Sequence, residues 1–478
     1  MQLFQDVCKT WGLGASVCRA MQRSVPAAAS IKPGEADAAN FQPHWSVAFW
    51  HDFKLPAELT SEEQPIASRL QAVARVISEA VSSAGVFASP KAAAYWTYHL
   101  SRSSFFLLQG AAGLLAARSA TQITGKAESG QGMRLERLLT SGLAGPLSEA
   151  TAMFYQDYQH IEQGHYALPW DMVETRNRQW SPLHVARRSA QFLTEAAATL
   201  GRRSRGKTED VWLQSPLYPD YYRTFHYQTD GWLSEDSAKV YEVSTETLFL
   251  GRQDAMQRQS LVPLSAFMRG RPGRAGAGTQ LLELACGTGR FASFIKDNWP
   301  EMGVTCLDLS PYYLHEARGN LQRWARLRAP NLAMGGVDGN GTAFLQAAAE
   351  NISQPDASFD VVTCVYLFHE LPSKVRRAVV AEMKRVLRPG GLVILTDSIQ
   401  LGDRPRLDGG LGNFQSFNEP YFGSYINEDF GAMFNEAGFE PMEKLLASST
   451  KVLSFRKPAN DAASAPVEAP AAALPVAA

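Results

Sequence analysis

Apolar and polar positions change rhythm near residue 279. Before it, apolar residues recur three and four positions apart; after it, short apolar runs alternate with amphipathic segments. In the first half the helical period shows at 58–80, where Ile66 and Leu70 lead into Val73, Val76, Ile77 and Ala80. Residues 92–117 mix Tyr95, Tyr98, Phe105, Phe106, Leu107, Leu108 and Leu114 around Gly110 and Gly113, which predicts a buried or kinked helix pair. A polar loop is expected at 120–134, then helix over 135–158 with a break at 142–146. A further helix over 183–200 is expected to stop at Gly201. No β-rich block precedes residue 210, so this half reads as mostly helical.

Beyond 279 strands are predicted at 281–284, 304–307, 331–335, 359–368 and 392–395, with 441–447 and 451–455 as two last edge strands. Helices are predicted at 290–298, 311–328, 372–387 and 427–437, and a short one at 344–352. Strands and helices alternating at these lengths make an α/β unit, a doubly wound, mostly parallel sheet covered on both faces. The chain divides into a flexible or targeting segment (1–45), a mostly helical domain (46–210), a connector with a helical lid (211–278), the sheet domain (279–457) and a disordered Ala/Pro-rich tail (458–478).

Composition narrows the partners. With 478 residues, 19% of them charged, and a formal net charge of −1, the chain lacks the basic excess that binding to a nucleic-acid backbone requires. The basic clusters at 202–207 and 269–274 read as solvated linkers. Five cysteines, at 8, 18, 286, 306 and 364, show neither pairing nor metal spacing, and the last three fall in apolar runs. Buried free thiols in a reducing compartment are therefore expected. No run is apolar and long enough for a transmembrane span. The first 30 residues hold Lys9, Arg19 and Arg23 against one acid, Asp6, which suits an organelle-targeting segment; cytoplasm or organelle matrix is the expected location.

Residues 215–233 contain six Phe, Tyr or Trp among nineteen, interrupted by Pro, Asp and Gly. They serve either packing alone or a lid whose aromatic rings wall a substrate pocket. At 287–292 the order Gly-Thr-Gly-Arg-Phe-Ala fits G-x-G-x-x-G/A between a strand and a helix, and Asp308 follows Gly287 by 21 residues at the end of the next strand. That arrangement cradles a nucleotide, the acid accepting bonds from ribose hydroxyls. Spacing alone fits a dinucleotide such as NAD equally well.

Residues 283–290 resemble the first motif of class I S-adenosylmethionine-dependent methyltransferases. The resemblance extends through 304–310, 355–362 and 387–392, and is greatest to the small-molecule branch that includes ubiquinone/menaquinone and sterol methyltransferases. It implies a seven-stranded Rossmann-like methyltransferase domain that takes S-adenosylmethionine as cofactor. The backbone of Gly287 and Gly289 then passes the methionine part, Glu283 organises its ammonium group, and Asp308 takes both ribose hydroxyls. Ala285, Leu309 and Phe368 complete the implied cofactor contacts, and Asp338 or Asn340 meets the adenine amino group. Residues 1–210 carry no resemblance.

On the acceptor side, His369 and Glu370 follow the fourth strand of the domain, where a methyl acceptor is deprotonated or oriented, or where His369 merely holds the loop. His226 is a further catalytic candidate. Tyr218, Tyr222, Tyr227, Tyr421 and Tyr425 are candidate substrate contacts, with Asp397 beside them. No metal is required, and the histidines show no ligand spacing. The expected activity is methyl transfer to a small organic acceptor, apolar or aromatic. Two alternatives stand beside it: a non-catalytic cofactor-binding assembly or regulatory protein, and an NAD-dependent oxidoreductase. The helical half is read either as a homodimer surface or as a pocket cover.

Overall fold

The computed structural model describes residues 41–54, 71, 75, 89–123, 141–205, 218–219, 221, 232–331, 341–412 and 419–460. Eight strands make one sheet: β1 (Gln42–Pro43), β2 (Gln280–Leu284), β3 (Gly303–Asp308), β4 (Thr342–Gln346), β5 (Phe359–Val365), β6 (Leu387–Ser398), β7 (Glu440–Ala447) and β8 (Thr450–Arg456). Their order is β1-β7-β8-β6-β5-β2-β3-β4. The ladders joining β2 to β6 are parallel, while β8 runs antiparallel between β6 and β7. From β2 the chain winds outward to β4, then crosses back to β5 on the other flank. That reversal opens a crevice beyond the C-terminal ends of β2 and β5, where doubly wound sheets bind ligands.

Three strand expectations change. The third strand of the domain is Thr342–Gln346, which occupies the start of the segment expected as a helix at 344–352; residues 332–340 lie outside the described ones. Its ladder to β3, from Val304 opposite Thr342 to Asp308 opposite Gln346, fixes a run whose own pattern is too mixed to read as strand. The strand β8 is interior: left-handed Ser448 (φ 58) lets the hairpin return tightly, and β8 inserts between its partner β7 and β6. The edge falls instead to β1, which the helical half contributes through Gln42 opposite Glu443 and Pro43 opposite Lys444.

The helices are α1 (Trp45–His51), α2 (Pro90–Ile123), α3 (Ser141–Glu162), α4 (Trp170–Val173), α5 (Pro182–Arg205), α6 (Glu235–Leu248), α7 (Gln253–Arg258), α8 (Leu261–Arg269), α9 (Arg290–Asn298), α10 (Pro311–Arg328), α11 (Ser373–Val386), α12 (Phe422–Tyr425) and α13 (Phe430–Glu436). Helix α2 is one helix, not a pair. Gly110 faces α6, where a Cβ would make an ordinary contact 3.6 Å from Thr247 Cγ2, and it does not end α2. Likewise α3 runs through Pro146, and α5 passes Gly201 to end at Arg205. The helix expected at 58–80 lies outside the described residues except for 71 and 75, which are helical, and so does the tail beyond 460.

The helical half and the sheet share one apolar core, in which Trp50, Tyr95, Trp96 and Phe154 join Leu282, Val362 and Ile394. Two buried ionic groups tie α7 to its neighbours. Arg258 on α7 forks onto Asp157 of α3, at 2.6 and 3.1 Å. Arg290, the first residue of α9, reaches Asp171 on α4 and Asp254 on α7, both at 2.5 Å. Cys286, Cys306 and Cys364 are buried free thiols. Among the described residues no helix is long and apolar enough to cross a membrane.

Candidate active site

The turn after β2 requires left-handed backbone at Ala285 (φ 52), Gly287 (φ 54) and Gly289 (φ 70). Glycine is needed most at 289, where a Cβ would stand 3.1 Å from the Ala317 Cβ and 3.2 Å from its Cα. Helix α9 therefore starts in contact with α10. The tip of the turn is tied down from two sides. The Thr288 hydroxyl donates to Glu242 on α6 at 3.0 Å, and the Asn320 amide donates to the Thr288 carbonyl at 2.9 Å.

Beneath the turn lies Glu283 on β2, 2% exposed, with its Oε2 buried and without a hydrogen-bond partner among the described residues. Burial, and secondarily the Asp308 charge, pushes its carboxyl well above the usual range. Asp308 ends β3. Its Oδ2 accepts the Gly287 N–H at 2.9 Å and its Oδ1 the Ser310 N–H at 2.8 Å. A carboxylate offers about four lone-pair sites, so these two bonds leave an acceptor on each oxygen. Burial raises the Asp308 pKa to about 6, and the two backbone N–H bonds hold it from rising further. Next to Asp308 a small cavity is lined by Ala285, Leu307, Leu309, Ala348, Leu367 and Tyr221. A cationic amine over Glu283, a diol on Asp308 and a flat apolar ring in this cavity match the groups present, and those are the three parts of S-adenosylmethionine.

Three aromatic rings roof the turn. Tyr241 of α6, Trp232 and Tyr313 of α10 meet edge to face with centroids 5.2 to 5.9 Å apart, and Tyr241 Cε1 lies 3.8 Å from where a Gly287 Cβ would be. Tyr241 also feels the charges of Glu370 and Asp308, which sets it between the two ends of the cleft. The sequence offered no signal for Tyr241 and Tyr313 beyond their place on helices. Of the connector, Tyr218, Pro219, Tyr221, Trp232 and Leu233 are described. Tyr218 is buried and donates to the Trp232 carbonyl at 2.9 Å, which Ser310 also reaches at 2.6 Å. Tyr221 donates to Glu350 at the cavity wall. Tyr222, His226, Tyr227, Asp338 and Asn340 lie outside the described residues.

At the other end of the cleft, Asp397 of β6 organises the segment after β5. Its Oδ2 accepts the Phe368 N–H at 2.8 Å, and its Oδ1 lies 2.6 Å from His369 Nδ1. Burial alone would lower the His369 pKa, but the adjacent Asp397 overcomes it, with help from Glu419 and Glu370, and raises it to about 10. The adjacent carboxylate thus favours the charged imidazole, which supports the orienting or loop-holding reading of His369 over that of a general base. Phe368 is also corrected: its fully buried ring packs on Phe430 and Phe434, away from the cavity. Tyr425 is buried with its hydroxyl on the Ser398 carbonyl, 6.1 Å from the His369 ring, so it backs His369 rather than lining open space. The backbone carbonyl of Tyr421 accepts from Arg376 at 3.0 Å. Among the described residues no cluster of His, Cys, Asp or Glu is arranged to hold a metal ion.

A stability prediction arises here. The folded pKa of His369 lies above its ordinary 6.5, so its contribution is full below about 6.5 and is lost as pH climbs through about 10. Urea midpoints of the wild type will fall between pH 7 and pH 10 relative to His369→Gln. Parallel pH profiles for the two proteins would remove the charged pair.

Residues 281–391 match the family model described as "Methyltransferase domain". Three curated relatives overlap this region. A malonyl-[acyl-carrier protein] O-methyltransferase of Paenibacillus sp. is 32% identical over 24% of this chain and 38% of its own length. A demethylmenaquinone methyltransferase of Deinococcus radiodurans is 32% identical over 25% and 42%. A ubiquinone/menaquinone biosynthesis C-methyltransferase of Desulfotalea psychrophila is 28% identical over 33% and 53%. The chain thus spans between 38% and 53% of the length of these relatives.

Proposed function

From the premise that residues 281–391 form a methyltransferase domain of the class I S-adenosylmethionine-dependent superfamily, we propose that the chain methylates a small organic acceptor, apolar or aromatic. The observation that carries this reading is the unpartnered, buried Glu283 oxygen under a glycine turn that Asp308 braces by its carboxylate. A buried acid without a partner is costly unless a ligand cation completes it. Bound S-adenosylmethionine supplies an electrophilic methyl group on a sulfonium.

The chain's own residues orient and enclose. Glu283 faces the ammonium, Asp308 the ribose diol, and the roof of Trp232, Tyr241 and Tyr313 excludes water from the turn. Their rings supply the apolar wall that favours an apolar or aromatic acceptor. His369, held by Asp397, directs Nε2 toward an acceptor oxygen, and Glu370 Oε1 stands 3.8 Å from that nitrogen, beyond hydrogen-bond range. Glu370 is the carboxylate left to take the acceptor's proton. Positioning and desolvation then account for most of the rate, as methyl transfer needs only an in-line approach.

The test combines calorimetric titration with S-adenosylmethionine and NAD, and transfer of a tritiated methyl group to fractions of a metabolite extract. Binding of S-adenosylmethionine with label appearing in a small-molecule fraction is the expected result. Binding without transfer to any fraction would leave the non-catalytic reading, and binding of NAD alone would leave the oxidoreductase.

A further inference from the structure

A second cavity lies on the other side of α6 from Tyr241. Lys239, Glu242, Val243 and Glu246 form one stripe of that helix, roughly opposite Tyr241 at 100° per residue. Lys239, Glu242 and Val243 face a groove of about 280 Å³ bounded by α2 and α5. Its walls carry Phe105, Phe106, Trp180 and Val185. Phe105 remains 38% exposed and Trp180 45%, so both rings present bare apolar surface to the groove mouth.

Charge in the groove is unbalanced. Arg178 and Arg188 line it and Arg323 stands behind them, while Glu316 and Glu242 are the acids that face the three. Arg178 takes Glu316 at 2.9 Å, and Glu242 is already engaged by Thr288 and Asn320. Arg188 and Arg323 are left with neutral partners, Gln191 at 3.0 Å and Asn320 at 2.9 Å. Burial and mutual repulsion lower both guanidiniums, Arg323 to about 10, and lower His184 to about 4. A cluster that disfavours its own charges is one an anion would relieve.

We propose that this groove is a second binding site, taking an amphiphilic carboxylate whose head pairs with Arg178 and Arg188 and whose apolar body lies along Phe105, Phe106 and Trp180. The planar guanidinium fork matches a carboxylate, and the apolar walls have no use for a free inorganic anion. The site is separate from the cleft at the glycine turn and does not depend on what that cleft binds. Glu242 stands between the two, lining the groove and holding Thr288.

Calorimetric titration of the full chain with decanoate and with decanol tests this, in the presence and absence of saturating S-adenosylmethionine. Decanoate is expected to bind once per chain and at least about tenfold more tightly than decanol, the worth of one charge-assisted pair. Arg188→Gln should weaken decanoate by about tenfold, and Val185→Trp should abolish binding by filling the groove. Both positions are partly exposed, so neither change disturbs the core. Equal affinity for decanoate and decanol, unchanged binding in both variants, or displacement of decanoate by S-adenosylmethionine would each overturn the proposal.

Discussion

Asp308→Ala will lower the affinity for S-adenosylmethionine by on the order of 100-fold, read by calorimetry. Each hydrogen bond to a charged acceptor contributes about 1.5–3 kcal/mol, and tenfold corresponds to about 1.4 kcal/mol. Two diol contacts therefore carry the predicted loss. Alanine also strands the Gly287 and Ser310 N–H groups, so part of the effect passes through the turn. Asp308→Asn separates the contributions, because its remaining oxygen still accepts one bond while the charge is gone; an intermediate affinity is expected. With its pKa near 6, Asp308 gains a proton as pH falls below that value, and a protonated carboxyl has fewer acceptor sites for a diol. Wild-type affinity will decline between pH 7 and pH 5, and Asp308→Asn will flatten that decline. Undiminished binding in Asp308→Ala would remove this residue from the cofactor site.

That Asp308 and the glycine turn stood out in the sequence has a physical reason. Backbone at positive φ and a carboxylate at a strand end are local requirements, and local requirements select residue types at fixed spacing. The strands β2, β3, β5 and β6 were legible because burial on both faces makes them continuous apolar runs. Strand β4 was not: its burial is mixed, and only its ladder to β3 makes it a strand. The edge strand β1 is two residues long and pairs with β7 some 400 positions later, a contact no window of sequence contains. The same limit hid the role of Arg290. It sits inside the glycine motif but turns toward Asp171 and Asp254, joining the helical half to the first turn of α9. His369 shows the limit in electrostatics: its position after the strand was readable, its charge was not, because Asp397 comes from the neighbouring strand.

The largest loss of stability is expected at the most deeply buried ion pair among the described residues, which joins α3 to α7. Arg258 and Asp157 are 2% and 0% exposed, and the Asp157 carboxylate also accepts from Tyr95 at 2.5 Å and Tyr166 at 2.9 Å. Neither residue stood out in the sequence, since an acid on one helix and an arginine on another become a pair only when positions 101 apart fold together. Removing one member of such a pair leaves an uncompensated buried charge, which costs about 3–5 kcal/mol. Arg258→Met is the cleaner probe because it keeps the volume of the stem; it strands Asp157 and removes the 3.4 Å contact to His99 Nε2. Asp157→Ala will cost a similar amount, as it strands the guanidinium and two tyrosine hydroxyls together. In the double variant Asp157→Ala with Arg258→Met, neither charge remains, and the loss should fall well below the sum of the two single losses. Urea unfolding monitored by tryptophan fluorescence and by far-ultraviolet circular dichroism measures all three. Coincident transitions are expected, because the helical half and the sheet share one core. Single variants within about 1 kcal/mol of wild type would show that the tyrosines and Gln259 hold this junction without the charge pair.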